Sequence, residues 1–313
     1  MCQEGMDFAR VLLQRRGGAL ACGDSSPLWV DPNAARNRRT PKRGQTSKGG
    51  PMAASPETVR LAALADIHFS KALAGTLQPL FGQITQVADL LLLGGDLTNY
   101  GLPEEAQLLV RELTIAKIPI IAVLGNHDYH EGKAGEVLSI LREAGLTILD
   151  GDAVEIKGIG LAGVKGFAGG FDQRLLAPWG EDIIKQFVHE SLTETLKLES
   201  ALAKLRTAQR IALLHYAPIR ATVEGEPLEI FPFLGSSRLE EPLNRYGVTA
   251  VFHGHAHHGT FEGKTRAGVP VYNVAMPLLR QTFPDHPPFH LFTVAVKSAA
   301  DSSPERLVTS ATG

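Results

Sequence analysis

Apolar residues in this chain come in short unbroken runs, and each run ends on polar residues. "VRLAALAD" (59–66), "DLLLLGGD" (89–96) and "IPIIAVLGNHD" (118–128) follow this pattern. Continuous apolar runs are what strands covered on both faces need. Between them, "TLQPLFGQITQV" (76–87) spaces Leu77, Leu80, Ile84 and Val87 at helical intervals. "PEEAQLLVRELTIAK" (103–117) opens on proline and two acids and ends on lysine, the signature of a helix. The order β-α-β-α-β predicts an α/β protein. Further strands are expected at 146–149, 153–157, 159–164, 210–218, 248–257, 269–275 and 289–297. Helices are expected at 181–208, as one piece or two, and at 238–247. No solenoid repeat and no long break interrupts the pattern. The architecture it implies is two mixed sheets packed face to face with helices on the outside.

Composition changes this picture mainly at the ends. The chain has 313 residues, 44% of them hydrophobic, enough for a sizeable core. Its net charge of −2 gives no single-sign field that would favour nucleic acid or an anionic membrane. No apolar run reaches the roughly 18–20 residues of a membrane span. Residues 1–51 differ from the rest, with nine Lys/Arg against four Asp/Glu, a balance of +5 that leaves −7 on the remainder. "NRRTPKRGQTSKGGP" (37–51) is polar and aperiodic and reads as disordered. "FARVLL" (8–13) is too short for the apolar core of a signal peptide. Residues 1–55 are therefore expected to be a basic extension upstream of the domain, with Met52 as its start. The domain is expected over 56–297 and a flexible tail over 298–313. Cys2 and Cys22 are the only cysteines. With no thiol in the rest of the chain, a reducing, cytoplasmic setting is expected.

Candidate chemistry gathers at the strand ends. They carry Asp66 and His68 in "DIH", Asp96 in "GGD", and Asn126, His127 and Asp128 in "GNHD". They also carry His215 in "LHYAP" and His255 and His257 in "GHAH". In open α/β sheets this edge is where ligands bind. A single strand-end Asp or His is ordinarily a turn or surface residue. Five strand ends bearing carboxylate, amide or imidazole together point to a metal centre. The donor set suits borderline divalent ions such as Mn, Fe, Zn or Co. Strand alternation accounts for "DIH" and "HAH", because residues i and i+2 face the same side. The glycines before Asp96, Asn126 and His255 allow the backbone to come close to the site.

The ordered set D-x-H, G-G-D, G-N-H-D, strand-end His, G-H-x-H is similar to the calcineurin-like metallophosphoesterase superfamily. The stretch from "GGDLTNYG" to "VLGNHD" most resembles its bacterial branch of class III cyclic-nucleotide phosphodiesterases. The resemblance implies a four-layer α/β/β/α fold and two divalent ions. By position, Asp66, His68, Asp96 and His257 would hold the first ion. Asp96 would bridge, and Asn126, His215 and His255 would complete the second site. It further implies attack of a metal-bridging hydroxide on the phosphorus of a phosphodiester, cyclic nucleotides among them.

His127 is then placed to give the leaving group a proton, with Asp128 orienting its ring; the other reading of His127 is an extra ligand. His253 shares a strand face with His255, whereas His258 points away. His189 reads as surface, and His286 and His290 as loop. Substrate contacts are expected from Asn126, His127 and the loops 165–176 and 219–238. Those loops carry Arg174, Arg220 and Arg238, with Arg220 the candidate to meet phosphate. A small-molecule phosphoester is the expected partner. Within the same class, a phosphomonoesterase or nucleotide pyrophosphatase is the alternative. Outside it, the alternative is a non-catalytic metal-binding scaffold.

Overall fold

The computed structural model describes residues 57–296. The expectations for the extension at 1–55, for Met52 as domain start and for the tail at 298–313 fall outside that range. The first sheet contains Glu57–Leu64 (β1), Leu90–Gly94 (β2), Ile120–Val123 (β3) and Thr147–Ile148 (β4), all parallel. His290–Val296, the last strand of the described chain (β11), closes it antiparallel to β1. The strand order is β11-β1-β2-β3-β4. Helices Gln78–Val87 (α1), Pro103–Leu113 (α2) and Ala134–Glu143 (α3) connect these strands.

The second sheet contains Asp152–Ile156 (β5), Ile159–Val164 (β6), Gln209–Leu214 (β7), Ala250–His253 (β8), Glu262–Lys264 (β9) and Pro270–Asn273 (β10). Its order is β5-β6-β7-β8-β10-β9, parallel from β6 to β10 and antiparallel at both edges. Asp182–Lys204 (α4), Phe231–Leu234 (α5), Glu240–Arg245 (α6) and Met276–Thr282 (α7) complete the fold.

Alternation along the strands builds the layers. Val59, Leu61, Ala63, Leu90, Leu92, Ile121 and Val123 face Ile159, Leu161, Ile211, Leu213, Ala250 and Phe252 between the sheets. Their neighbours Ala62, Leu64, Leu91, Leu93 and Ala122 point outward against Phe81 and Ile84 of α1, Leu109 of α2 and Val137 and Leu141 of α3. On the far side Ala162, Val164, Ala212, Leu214 and Val251 pack against α4 and α6 through Leu198, Leu202 and Leu243. Each layer buries apolar surface at roughly 25 cal/mol per Å². The result is the expected α/β/β/α sandwich.

Several elements differ from the sequence reading. α3, α7 and β9 have no counterpart in it; β9 is an edge strand of three residues with no apolar run of its own. The 181–208 region is one helix. β7 stops at Leu214 and β8 at His253, so His215, His255 and His257 lie beyond the strands. His290, read both as loop and as part of the strand expected at 289–297, is the first residue of β11 and packs among Phe252, Phe261, Tyr272 and Phe292. No helix among the described residues is long and apolar enough to cross a membrane.

Phe252 is fully buried between the sheets, with Tyr272 stacked on it and Phe292 against its edge. Truncating such a ring leaves a cavity that close-packed strands cannot collapse into. Phe252→Ala is expected to lower the unfolding free energy by about 3–5 kcal/mol. Urea denaturation followed by circular dichroism measures it, and a loss below about 1 kcal/mol would show that the layer repacks.

Candidate metal centre

Five parallel strands deliver the site. β1, β2 and β3 of one sheet and β7 and β8 of the other end near one another, and the turns after them carry the polar residues. Six non-glycine residues have positive φ among the described residues, and four of them are Asp66 (58°), His68 (46°), Asp96 (48°) and His255 (72°). A left-handed backbone costs a non-glycine residue on the order of 1–3 kcal/mol and concentrates at functional sites. These turns aim the side chains. The alternation expected for "DIH" and "HAH" does not, because both motifs lie past the last strand residue.

The turns interlock through backbone hydrogen bonds. Asp66 N–H donates to Gly95 O (3.0 Å), His68 N–H to Asp96 O (2.9 Å) and Gly254 N–H to His215 O (3.1 Å). Contact is close enough to exclude side chains at two glycines. A Cβ on Gly254 would run into the Asp66 carboxylate, and one on Gly125 into that of Asp96.

Asp66, His68 and His257 form one group whose ligand atoms lie within 4.8 Å of one another. His257 Nε2 is 3.1 Å from Asp66 Oδ1 and 3.2 Å from His68 Nε2. Asp96, His215 and His255 form a second such group, and Asp96 also belongs to a third with His68 and His127. Asp96 stands between the groups, with Oδ2 3.7 Å from His68 Nε2 and Oδ1 3.4 Å from His215 Nε2. Asn126 Oδ1 joins the second group at 2.9 Å from His215 Nε2. All seven residues named as ligands from the sequence therefore meet in one place.

The electrostatics fit cations. Asp66 and Asp96 are almost wholly buried, and histidines are their only basic side-chain neighbours within ion-pair distance among the described residues. A buried carboxylate without a compensating charge is costly. Burial pushes Asp96 well above the usual carboxylate range, and the negative charges of Asp66 and Asp128 push it further. Asp66 goes the other way. Burial raises it, but the His257 hydrogen bond and the nearby imidazoles outweigh that and hold it at about 2. Burial lowers His68 to about 4 and takes His215 well below its ordinary range. His255 is lowered by burial too. Burial thus favours the neutral ring in these three, in which one nitrogen keeps its proton and the other a lone pair for a metal. His257 goes the other way, raised against the effect of burial by its hydrogen bond to Asp66.

Backbone carbonyls choose which nitrogen faces the centre. His215 Nδ1–H donates to Gly94 O (2.9 Å), leaving the Nε2 lone pair inward. His255 Nε2–H donates to Phe233 O (3.1 Å), which leaves Nδ1. This is how metal-binding histidines are oriented. His253 is fully buried just behind, with Nδ1 on Gly254 O and Nε2 on Thr222 Oγ1, both at 2.8 Å. Asn273 Nδ2 donates to Ala256 O (2.7 Å) and pins the "GHAH" turn. Thr222, Phe233 and Asn273 carry no motif and are not legible in the sequence.

His127 stands edge-on to His68, ring centroids 4.4 Å apart. Its Nδ1–H donates to Asn99 O (2.7 Å). The expectation that Asp128 orients this ring is corrected here. Asp128 instead accepts hydrogen bonds from Gly125 N, Leu97 N, Thr98 N and Thr98 Oγ1 at 2.6–3.2 Å, so it ties the "GGD" turn to the "GNHD" turn. The arginines do not join the cluster. Arg220 is exposed, pairs with Glu224 at 3.5 Å and lies over Phe231. Arg238 Nη2 donates to Leu176 O, and Arg174 is exposed. His189 and His258 are exposed as expected.

No curated protein sequence matches the chain. Among solved structures it is similar to phosphopantetheinyl hydrolase from Mycobacterium tuberculosis, at 14% identity over 74% of this chain and 95% of that one, with a TM-score of 0.52. The TT1561 protein of Thermus thermophilus is 16% identical over 77% and 100%, with a TM-score of 0.45. A purple acid phosphatase from yellow lupin seeds is 14% identical over 73% and 45%, also at 0.45. The pattern of the calcineurin-like phosphoesterase family matches residues 59–259. That span takes in the whole cluster from Asp66 to His257, and the chain accordingly belongs to the calcineurin-like phosphoesterases, metal-dependent hydrolases of phosphoesters.

Proposed function

We propose that the protein hydrolyses phosphodiesters at a centre of two divalent ions. The observation that carries this reading is Asp96, whose two oxygens face different histidine groups. Asp66, His68, His257 and Asp96 would hold one ion, and Asp96, Asn126, His215 and His255 the other. Two such ions acidify a water at neutral pH and offset the charge on the phosphoryl oxygens.

The chain's own residues do the rest. The carbonyls of Gly94 and Phe233 keep His215 and His255 in fixed tautomers. Asp128 fixes the turn that presents Asn126 and His127. Because Asn99 O accepts a hydrogen bond from His127 Nδ1–H, Nε2 is the nitrogen left to meet the substrate and to pass a proton to the departing oxygen. An alkoxide leaving group needs that proton; a nitrophenolate does not. Cyclic nucleotides belong to this substrate class, as the likeness of the 94–128 stretch to their phosphodiesterases suggests. A small-molecule phosphoester in the cytoplasm is the setting this reading favours.

Two outcomes are expected. Asp96→Ala abolishes hydrolysis of bis(p-nitrophenyl) phosphate with added Mn while the circular dichroism spectrum is retained; a wild-type rate in this variant rules out the two-ion site. His127→Ala lowers kcat by roughly 10²–10⁴ for a diester with an alkyl leaving group and much less for a nitrophenyl diester. Equal losses on both substrates would make His127 a ligand instead of an acid.

A further inference from the structure

Lys165 is a half-buried cation with no carboxylate of its own. It follows β6 directly, and its carbonyl accepts the N–H groups of both His215 and Tyr216 (3.0 Å each), so its backbone is tied to the metal-centre turn. The side chain runs between three rings. Nζ is 5.0 Å from the Phe167 centroid, 5.4 Å from Tyr216 and 5.7 Å from Tyr129. One N–H donates to Gly166 O at 2.8 Å. Its other two N–H find no hydrogen-bond acceptor among the described residues. The nearby buried Glu194 is already committed, accepting from Gly166 N and from Lys197 Nζ at 2.8 Å each. Burial lowers the Lys165 pKa, against the pull of Glu194 and Glu190.

The cage shares its walls with the metal centre. The Tyr216 ring is 4.4 Å from the His255 ring and 5.5 Å from that of His215. Tyr129 closes the short turn that begins at His127. From Phe167 an aromatic wall continues to Phe187 (5.0 Å) and on to Phe233 (6.2 Å), which is exposed and whose carbonyl holds His255. A cation with spare donors thus stands beside the second group of ligands, and the exposed Phe233 ring nearby offers one aromatic face to a flat group.

We propose that Lys165 receives a second, non-transferred phosphate of the substrate, with a nucleobase or similar flat group against the exposed Phe233 ring. This rests on the phosphodiesterase reading and narrows it to diesters that carry a second phosphate. Rings supply the cage but no counter-charge, so an incoming phosphate is the group that completes it. Charge-assisted hydrogen bonds of this kind are the stronger class.

Isothermal titration of the full chain in Mn buffer tests it, comparing α,β-methylene-ADP with AMP. Wild type is expected to bind the diphosphate at least about tenfold tighter than the monophosphate, the scale of a charge-assisted contact. Lys165→Met is expected to erase that preference, and Lys165→Arg to keep it. Thermal unfolding of each variant is recorded alongside. Equal binding of the two ligands by wild type, or an undiminished preference in a folded Lys165→Met, overturns the proposal. So does a parallel loss of both ligands, which a merely structural lysine would give. Hydrolysis of bis(p-nitrophenyl) phosphate by the same wild-type sample reads the phosphodiesterase function separately. A preparation that shows the preference but no hydrolysis refutes that function alone.

Discussion

Asp66 and Asp96 sit out of water with no lysine or arginine beside them among the described residues, and much of the local structure follows from that. Their oxygens are met by imidazoles and backbone amides: His255 N–H donates to Asp66, and His127 N–H donates to Asp96 at 2.8 Å. Those partners reach the carboxylates only because four residues adopt left-handed backbone and two glycines leave room. Dipoles and imidazoles soften the burial of these acids, and the strain that remains shows in Asp96, which burial and its acidic neighbours push well above the usual carboxylate range. Buried acids compensated this little are what a cation site needs.

The frame is legible in the sequence because its physics is local. Runs such as "DLLLLGG" can be buried only as central strands, and the ends of parallel strands face one edge. Site residues are legible because imidazole, carboxylate and amide are unusual at strand ends when five occur together. The reason they converge is not the one that alternation supplies. Alternation needs a strand, and Asp66, His68, His255 and His257 are in turns whose backbone angles no side-chain pattern announces. The layer behind the ligands is not legible either. Gly94, Asn99 and Phe233 act through carbonyls, which every residue has, so their identity carries no signal. Asp128 departs from expectation for a related reason. Adjacency to His127 in sequence suggests contact, but a carboxylate that is fully buried goes where the N–H groups are, and donors wait across the turn. Lys165 reads in the sequence only as part of a loop, since nothing there places three rings around its ammonium.

The two ends of the "GHAH" turn show how rigidity is obtained without regular structure. His253 is the last strand residue and spends both ring nitrogens, on Gly254 O and on Thr222 Oγ1. Asn273 on the neighbouring strand reaches Ala256 O. Between these anchors, Gly254 is pressed onto Asp66. These anchors tie the turn that carries His255 and His257 to the packing of β8 on β10. Sheet packing and site geometry are one problem here.

His127 and His215 make the final distinction possible. Both donate Nδ1–H to a backbone carbonyl, so both present Nε2. What differs is the company that nitrogen keeps. His215 is wholly buried, and its Nε2 faces Asp96 and Asn126 Oδ1, an arrangement that suits a cation. His127 is half-buried at the rim, edge-on to His68, and its main-chain N–H already serves Asp96. The same tautomer therefore leaves one Nε2 enclosed among other ligand atoms and the other at the rim of the cluster, and the cause of the difference is burial.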